Sequence, residues 1–175
     1  MHAKMLYALS QEALVSLDNL LMSHAIFGIA GVIHSYIAEN VVLPQLNHEA
    51  VASWVEKVAA SLGKRVGALS YIFCDDEYIL DTNRKYLQHD YYTDIITFDY
   101  SNRRRISGDM VISLDTVRTN AEQFAKSYDS ELLRVIIHGV LHLCGINDKG
   151  PGEREIMEQH ENEALAIVPS NIFES

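Results

Sequence analysis

The sequence feature that most constrains the fold is the run HGVLHLCGIND, which spans residues 138–148. Two histidines four positions apart on a helix lie about 40° from each other around its axis, so both imidazoles can converge on one point. Gly145 is the residue type that most readily ends a helix in a left-handed conformation, and the turn that follows can bring Asp148 back toward the histidines. The run therefore predicts a helix whose C-terminal end presents a His–His–Asp group.

The residues of this helix predict that it is buried nearly all round. Its apolar positions are Leu132, Leu133, Val135, Ile136, Ile137, Val140, Leu141 and Leu143. Two histidine nitrogens and one carboxylate oxygen, with a fourth position open to water, are the usual ligands of catalytic zinc. We interpret His138, His142 and Asp148 as ligands of one zinc ion; the alternative is a pair of hydrogen-bonded core histidines.

The same run resembles the signature of the YbeY family of endoribonucleases, in which H-G-x-L-H-L-x-G-x-x is closed by a third histidine or an aspartate. Two other segments are similar to blocks of that family: NRKYL at 83–87 with DYYTDIITF at 90–98, and SGDMVIS at 107–113. The resemblance covers about residues 32–167. It implies that the His–His–Asp group is the zinc site of the family.

The resemblance also implies a function. A chain of this family is expected to be a zinc-dependent, single-strand-specific endoribonuclease that matures the 3′ end of 16S rRNA and takes part in ribosome quality control. The implied partners are single-stranded rRNA and the ribosome or its small subunit, and the implied location is the cytoplasm. No segment has the length or the uninterrupted apolar character of a membrane span.

The chain departs from the family pattern at two positions. Asp148 stands where many members have histidine, which makes the site more negative by one charge. Leu87 follows Tyr86 where many members carry an arginine thought to assist RNA cleavage, so that role is not transferred here. Arg84 and Lys85 lie next to this position and are weak candidates to replace the arginine.

Asp94 is a further weak candidate, because metal-bound histidines usually donate their second N–H to a carboxylate or carbonyl. The alternative is that Asp94 is simply an acid at the start of a strand. Gly139 occupies the position at which zinc proteases of the H-E-x-x-H type carry their general base. A protease mechanism therefore lacks its base, and the glycine is expected to let a strand or the substrate approach the helix closely. His160 belongs to an apolar stripe with Ile156, Ala164 and Ile167, which predicts a core histidine rather than a fourth ligand.

The formal net charge of −10 argues against a protein that grips nucleic acid over a broad basic surface. Arg103, Arg104 and Arg105 form a basic cluster in an acidic chain. They are interpreted either as a phosphate contact or as the solvated tip of a hairpin.

Length and patterning predict one domain of α+β class, with a mixed sheet of about four strands, helices packed on it and the metal-binding helix central and buried. Residues 1–31 are expected to be a weakly ordered or optional extension, and residues 32–175 the YbeY-like domain. Cys74 and Cys144 are expected to be buried reduced thiols. Two other functions stay open: a ribosome-associated binding module whose zinc is structural, and a zinc-dependent hydrolase of another substrate.

Overall fold

The computed structural model describes the backbone of residues 24–29 and the whole of residues 32–88 and 90–174. Its strands are β1 His24–Ile29, β2 Val32–Glu39, β3 Arg65–Cys74, β4 Ile95–Asp99 and β5 Arg105–Ser113. They form one sheet in the order β1-β2-β3-β5-β4. The β2–β3 and β3–β5 pairings are parallel, whereas the two outer pairings are antiparallel. The predicted α+β class and mixed sheet are confirmed, and β1 adds one strand to the number expected.

In the described part of the chain five α-helices accompany the sheet: α1 His48–Ser61, α2 Asp76–Thr82, α3 Leu114–Gln123, α4 Tyr128–Leu143 and α5 Glu153–Leu165. A π-helical segment, Asn83–Leu87, continues α2. Strand β1 lies within the predicted extension, while residues 1–23, 30 and 31 lie outside the described residues. The division at residues 31 and 32 therefore stays a prediction. None of the described helices is long and apolar enough to cross a membrane.

Helix α1 shows how sequence determines local structure here. The Asn47 side chain accepts a hydrogen bond from the Ala50 amide at 3.1 Å, so it caps a helix end that would otherwise leave amides unpaired. Val51, Trp54 and Val55 are then fully buried. The Trp54 indole donates to the carbonyl of Ala164 on α5 at 2.9 Å, which joins the two helices.

Helix α4 is the central element of the core, as predicted. Leu132, Val135, Ile136 and Ile137 are all fully buried. The helix approaches the sheet most closely at Gly139. A Cβ atom there would lie 2.6 Å from Ile95 Cδ1 on β4 and 2.9 Å from Met110 Sδ on β5. The prediction that this glycine permits a close approach is confirmed for a strand.

Candidate metal centre

The C-terminal turn of α4 brings the three predicted ligands together. Gly145 has φ +95°, and its amide donates to the His142 carbonyl at 2.9 Å. The Ile146 amide donates to the Leu141 carbonyl at 3.0 Å. This pair of bonds is a Schellman motif, which reverses the chain at the end of a helix. The reversal places Asp148 opposite the two imidazoles.

The three side chains present one donor atom each to a common point. The Nε2 atoms of His138 and His142 are 2.9 Å apart, and Asp148 Oδ2 lies 3.5 Å from the first and 3.7 Å from the second. Ligands about 2.0–2.2 Å from a tetrahedral zinc ion would be separated by roughly 3.3–3.6 Å. The two distances to Asp148 lie close to this range, and the two Nε2 atoms are somewhat closer together. The donor set therefore fits a divalent cation without rearrangement of the backbone.

Hydrogen bonds to the other ring nitrogens determine which imidazole atoms carry protons. His142 Nδ1 donates to the Ile146 carbonyl at 2.9 Å, since a carbonyl can only accept. His138 Nδ1 donates to Glu161 Oε1 at 2.6 Å. In the neutral rings both Nε2 atoms then carry lone pairs, and these face each other and the Asp148 carboxylate. Such a group of donors is unfavourable alone and is stabilised by a cation.

The electrostatic surroundings keep His142 in the form that binds metal. Burial lowers the pKa of His142 below its ordinary value, and the neighbouring His138 lowers it further. A neutral imidazole is the metal-ligating form. The side chains of His138, His142 and Asp148 are 15%, 26% and 27% exposed, so solvent can reach the fourth position of a tetrahedral centre.

A network of charged side chains holds Glu161, the hydrogen-bond partner of His138, in place. Arg134, one turn earlier on α4, makes two hydrogen bonds to the Glu131 carboxylate, at 2.6 and 2.9 Å. Its other contacts are to Glu161 at 3.4 Å and to Asp94 at 3.2 Å. The hydrogen bond with Glu131 raises the pKa of Arg134, so this guanidinium stays charged. Glu161, which accepts from His138, is thereby held in place by a cation.

This network changes two expectations from the sequence. Asp94 accepts a hydrogen bond from Arg134 and not from an imidazole, so its link to the site runs through Arg134 and Glu161. Glu161 was not predicted at all. The predicted apolar stripe of the last helix was wrong at two of its three apolar positions: Ile156 and Ile167 are 51% and 49% exposed, whereas Ala164 is buried.

The buried face of α5 carries Met157, Glu161 and Ala164. Their spacing of four and three residues was the available signal for Glu161, but a glutamate in a helix usually indicates a solvated face. His160 is half-buried, and its Nδ1 lies 3.6 Å from Glu163. It is therefore neither a core histidine nor part of the group around Asp148.

The weak candidates Arg84 and Lys85 both lie on the π-helical segment. Arg84 Nε donates to Asp90 at 2.6 Å, and its side chain is 52% exposed. The Lys85 ammonium lies 4.8 Å from the centre of the Tyr86 ring. Leu87, at the position of the family arginine, is 42% exposed. A role for Arg84 or Lys85 in cleavage stays a prediction.

A family model and the most similar named proteins give the same family. A family model described as endoribonuclease YbeY matches residues 36–168. A protein named endoribonuclease YbeY from Parabacteroides distasonis is 65% identical over 135 residues, which are 77% of this chain and 95% of that protein. The protein of the same name from Bacteroides thetaiotaomicron is 65% identical over 133 residues, covering 76% of this chain and 97% of the relative. The solution structure of TM1509 from Thermotoga maritima is similar in fold, with a TM-score of 0.51 and 25% identity over 67% of this chain and 81% of that one.

Proposed function

The chain belongs to the YbeY family of endoribonucleases, and on that premise we propose that it cleaves single-stranded RNA at a metal ion held by His138, His142 and Asp148. One observation carries the proposal. The lone pairs of two histidine Nε2 atoms and one carboxylate oxygen face a common, partly open point at the end of α4. This arrangement supports metal-assisted hydrolysis, in which a cation and not a side chain supplies the electrophile.

Zinc is the metal we propose, because two imidazoles and one carboxylate are typical of catalytic zinc sites. When bound, zinc would polarise a phosphate oxygen and lower the pKa of a water molecule or of the RNA 2′-hydroxyl. Manganese and iron also accept this donor set, so zinc is distinguished from them by metal analysis of the purified protein.

The protein's own residues have separate tasks in this scheme. His138 and His142 hold the ion through Nε2, and the Ile146 carbonyl fixes the ring of His142. Glu161 fixes the ring of His138 and is itself held by Arg134. Gly139 leaves no room for the glutamate base of a zinc protease, because Ile95 and Met110 occupy that space. This favours RNA over a peptide as the substrate.

The proposed substrate is the precursor 3′ end of the small-subunit rRNA, in association with the ribosome or its small subunit. The family resemblance supports this choice, and the acidic net charge of −10 makes a ribosomal setting attractive, since other molecules can contribute to RNA binding. A ribosomal substrate places the protein in the cytoplasm.

The test is cleavage of a labelled RNA that contains this 3′ end, given naked and within small-subunit particles. The zinc-loaded protein is compared with His142→Ala and with His160→Ala, a matched histidine outside the metal centre. We expect cleavage by the unchanged protein and by His160→Ala, and a loss of at least about a hundredfold in His142→Ala, since the metal is the electrophile. Equal cleavage by His142→Ala, or none by the folded, metal-loaded native protein on either substrate, would refute the proposal.

A further inference from the structure

Five basic side chains from two distant segments converge at one end of the sheet. Lys64 and Arg65 precede and begin β3, while Arg103, Arg104 and Arg105 form the turn into β5. Arg65 is the register partner of Arg105 in the parallel β3–β5 pair, and its amide donates to the Arg104 carbonyl at 2.9 Å. The Lys64 ammonium donates to the Arg103 carbonyl at 3.1 Å. We call these five residues the basic edge.

The side chains of the basic edge form no ion pair with any acid in the described part of the chain. The four arginines are exposed and Lys64 is half-buried. The two carboxylates of the adjoining hairpin have other partners: Asp99 accepts from the Ser101 amide at 2.8 Å, and Asp109 from the Tyr100 hydroxyl at 2.9 Å. Five of the 14 lysines and arginines of an acidic chain are therefore concentrated in one place.

The basic edge lies beside the end of the metal-binding helix. Gly108 follows Arg105 by three residues on β5, and a Cβ atom there would lie 2.7 Å from Leu143 Cδ2. Leu143 is the last residue of α4 and directly follows His142. At about 3.4 Å per residue, Arg105 is roughly 10 Å along the strand from this contact.

We propose that the basic edge binds the phosphodiester backbone of the RNA, on the side of the metal centre where α4 ends; this rests on the proposed function. Lysine and arginine bind phosphate oxygens through charge-assisted hydrogen bonds, and several neighbouring cations follow a strand better than isolated ones. The rest of this acidic chain repels phosphate. RNA is therefore attracted locally to the end of the sheet that leads to the candidate ligands, which also explains how a protein of net charge −10 holds a polyanion.

The test compares two variants that lose the same number of positive charges. Arg103→Gln/Arg104→Gln removes two charges from the basic edge. Lys57→Gln/Lys126→Gln removes two from exposed positions on α1 and after α3. Binding of a labelled, 2′-O-methylated single-stranded RNA to the metal-loaded proteins is titrated by anisotropy over a range of salt concentrations, and thermal unfolding confirms that each variant is folded.

We expect the basic-edge variant to bind about tenfold more weakly at roughly 50 mM salt, and the slope of log K against log salt to become shallower by about 1.4, or 0.7 for each lost phosphate contact. The Lys57/Lys126 variant should change affinity by less than about threefold, because neither lysine belongs to the basic edge. Arg103→Lys/Arg104→Lys should restore binding, since a phosphate contact needs the charge more than the guanidinium shape. In cleavage assays the basic-edge variant should raise KM and leave kcat within about twofold.

Equal binding by the two double variants, or no RNA binding by the unchanged protein, would overturn the proposal. So would loss of binding to vesicles of anionic phospholipid with RNA binding unchanged, which would assign the basic edge to a membrane surface. The nuclease hypothesis fails separately: RNA binding with the expected salt dependence, but with equal cleavage by the unchanged protein and by His142→Ala, would keep the basic edge and remove the activity.

Discussion

At the scale of single residues, each imidazole of the candidate site is held by a partner of a different kind. His142 donates to a main-chain carbonyl, whereas His138 donates to Glu161, a carboxylate on another helix. Glu161 is only 7% exposed and shares Arg134 with Asp94 and Glu131. The orientation of His138 therefore depends on side chains that never touch the ion, and a change at one of them should alter metal affinity before it alters the fold.

Glu161→Gln tests this dependence. The amide keeps the shape of the side chain but loses the negative charge, which makes the carboxylate a strong acceptor for the N–H of His138. We expect zinc affinity, measured by competition with a chromophoric chelator, to fall by about 10- to 100-fold. Glu158→Gln, an exposed glutamate of the same helix, should leave affinity unchanged. Equal affinities for both variants would show that Glu161 does not position the ring.

His34 on β2, a buried histidine outside the metal centre, should make stability depend on pH. Its Nδ1 lies 3.1 Å from the Tyr71 hydroxyl, and the side chain is fully buried. Burial, with a smaller effect of His48, lowers the pKa of His34 to about 4. The folded state therefore binds fewer protons than the unfolded chain below pH 6.5. The stability that neutral His34 contributes is fully present above that pH and is lost as the pH falls toward 4.

The expected loss due to His34 is about 2 kcal/mol in the free energy of unfolding between pH 7 and pH 5. Urea denaturation at both pH values should show this difference in the unchanged protein and in His160→Gln. In His34→Gln the loss of stability between the two pH values should be smaller by about 2 kcal/mol. The metal centre is the same in all three proteins, so its contribution cancels in the comparison. The same pH dependence in His34→Gln would contradict the assignment.

At the scale of elements, the end of α4 does more than stop a helix. The Schellman motif at Gly145 places both the Ile146 carbonyl on His142 and the Asp148 carboxylate opposite the imidazoles. One backbone reversal thus supplies a ligand and the support of another. An equally open glycine closes α1, since Gly63 has φ +71° and a Cβ atom there would also meet nothing within 4 Å.

Gly145→Ala and Gly63→Ala form a matched pair. Each places a side chain in the left-handed region without a clash, so each should lower the free energy of unfolding by about 1 kcal/mol. Gly145→Ala alone should weaken zinc binding, because relief of the strain moves the turn that carries Asp148. Chemical denaturation and metal titration together check both expectations. Unchanged zinc affinity in Gly145→Ala would show that the turn is not required for the ligand geometry.

The sequence could predict what is local at this scale. His138, His142 and Asp148 lie within one helix end, so helical geometry and one glycine sufficed to bring them together. Glu161 lies on α5, 23 positions after His138, and its burial depends on how α5 packs on α4. The basic edge requires the parallel register of β3 and β5, which joins Arg65 to Arg105 across 40 positions. Such pairings are set by tertiary packing and leave no periodic pattern in the chain.

At the scale of the whole molecule, the metal centre lies at the margin of a core that does not need it. The largest buried side chains, among them Trp54, Tyr71 and Phe73, pack around α1 and the sheet. The candidate ligands are partly exposed at the end of one helix. This arrangement differs from small zinc domains, in which the metal replaces a missing core.

Metal removal should therefore abolish RNA cleavage without unfolding the protein. After dialysis against a chelator we expect native-like circular dichroism and a single cooperative unfolding transition. At zinc concentrations about a hundred times Kd, stability should rise by only about 3 kcal/mol. RNA cleavage should disappear and return when zinc is added. Unfolding on chelation would instead favour the binding module with a structural zinc.

Strand β1 has a consequence for how molecules of this protein behave toward one another. It pairs with β2 along its whole length, from His24 opposite Ile37 to Ile29 opposite Val32. A chain that began at Val32 would leave this side of β2 with a row of unpaired amides and carbonyls, which is a template for strand addition by a second copy. Since β1 is itself the edge of the sheet in the full chain, its loss replaces an edge strand of 6 residues by one of 8. We expect that shortened chain to keep its metal centre but to associate more strongly with rising concentration in sedimentation experiments than the full chain. The segment outside the family match would then serve as a guard against self-assembly, whatever it contributes to catalysis.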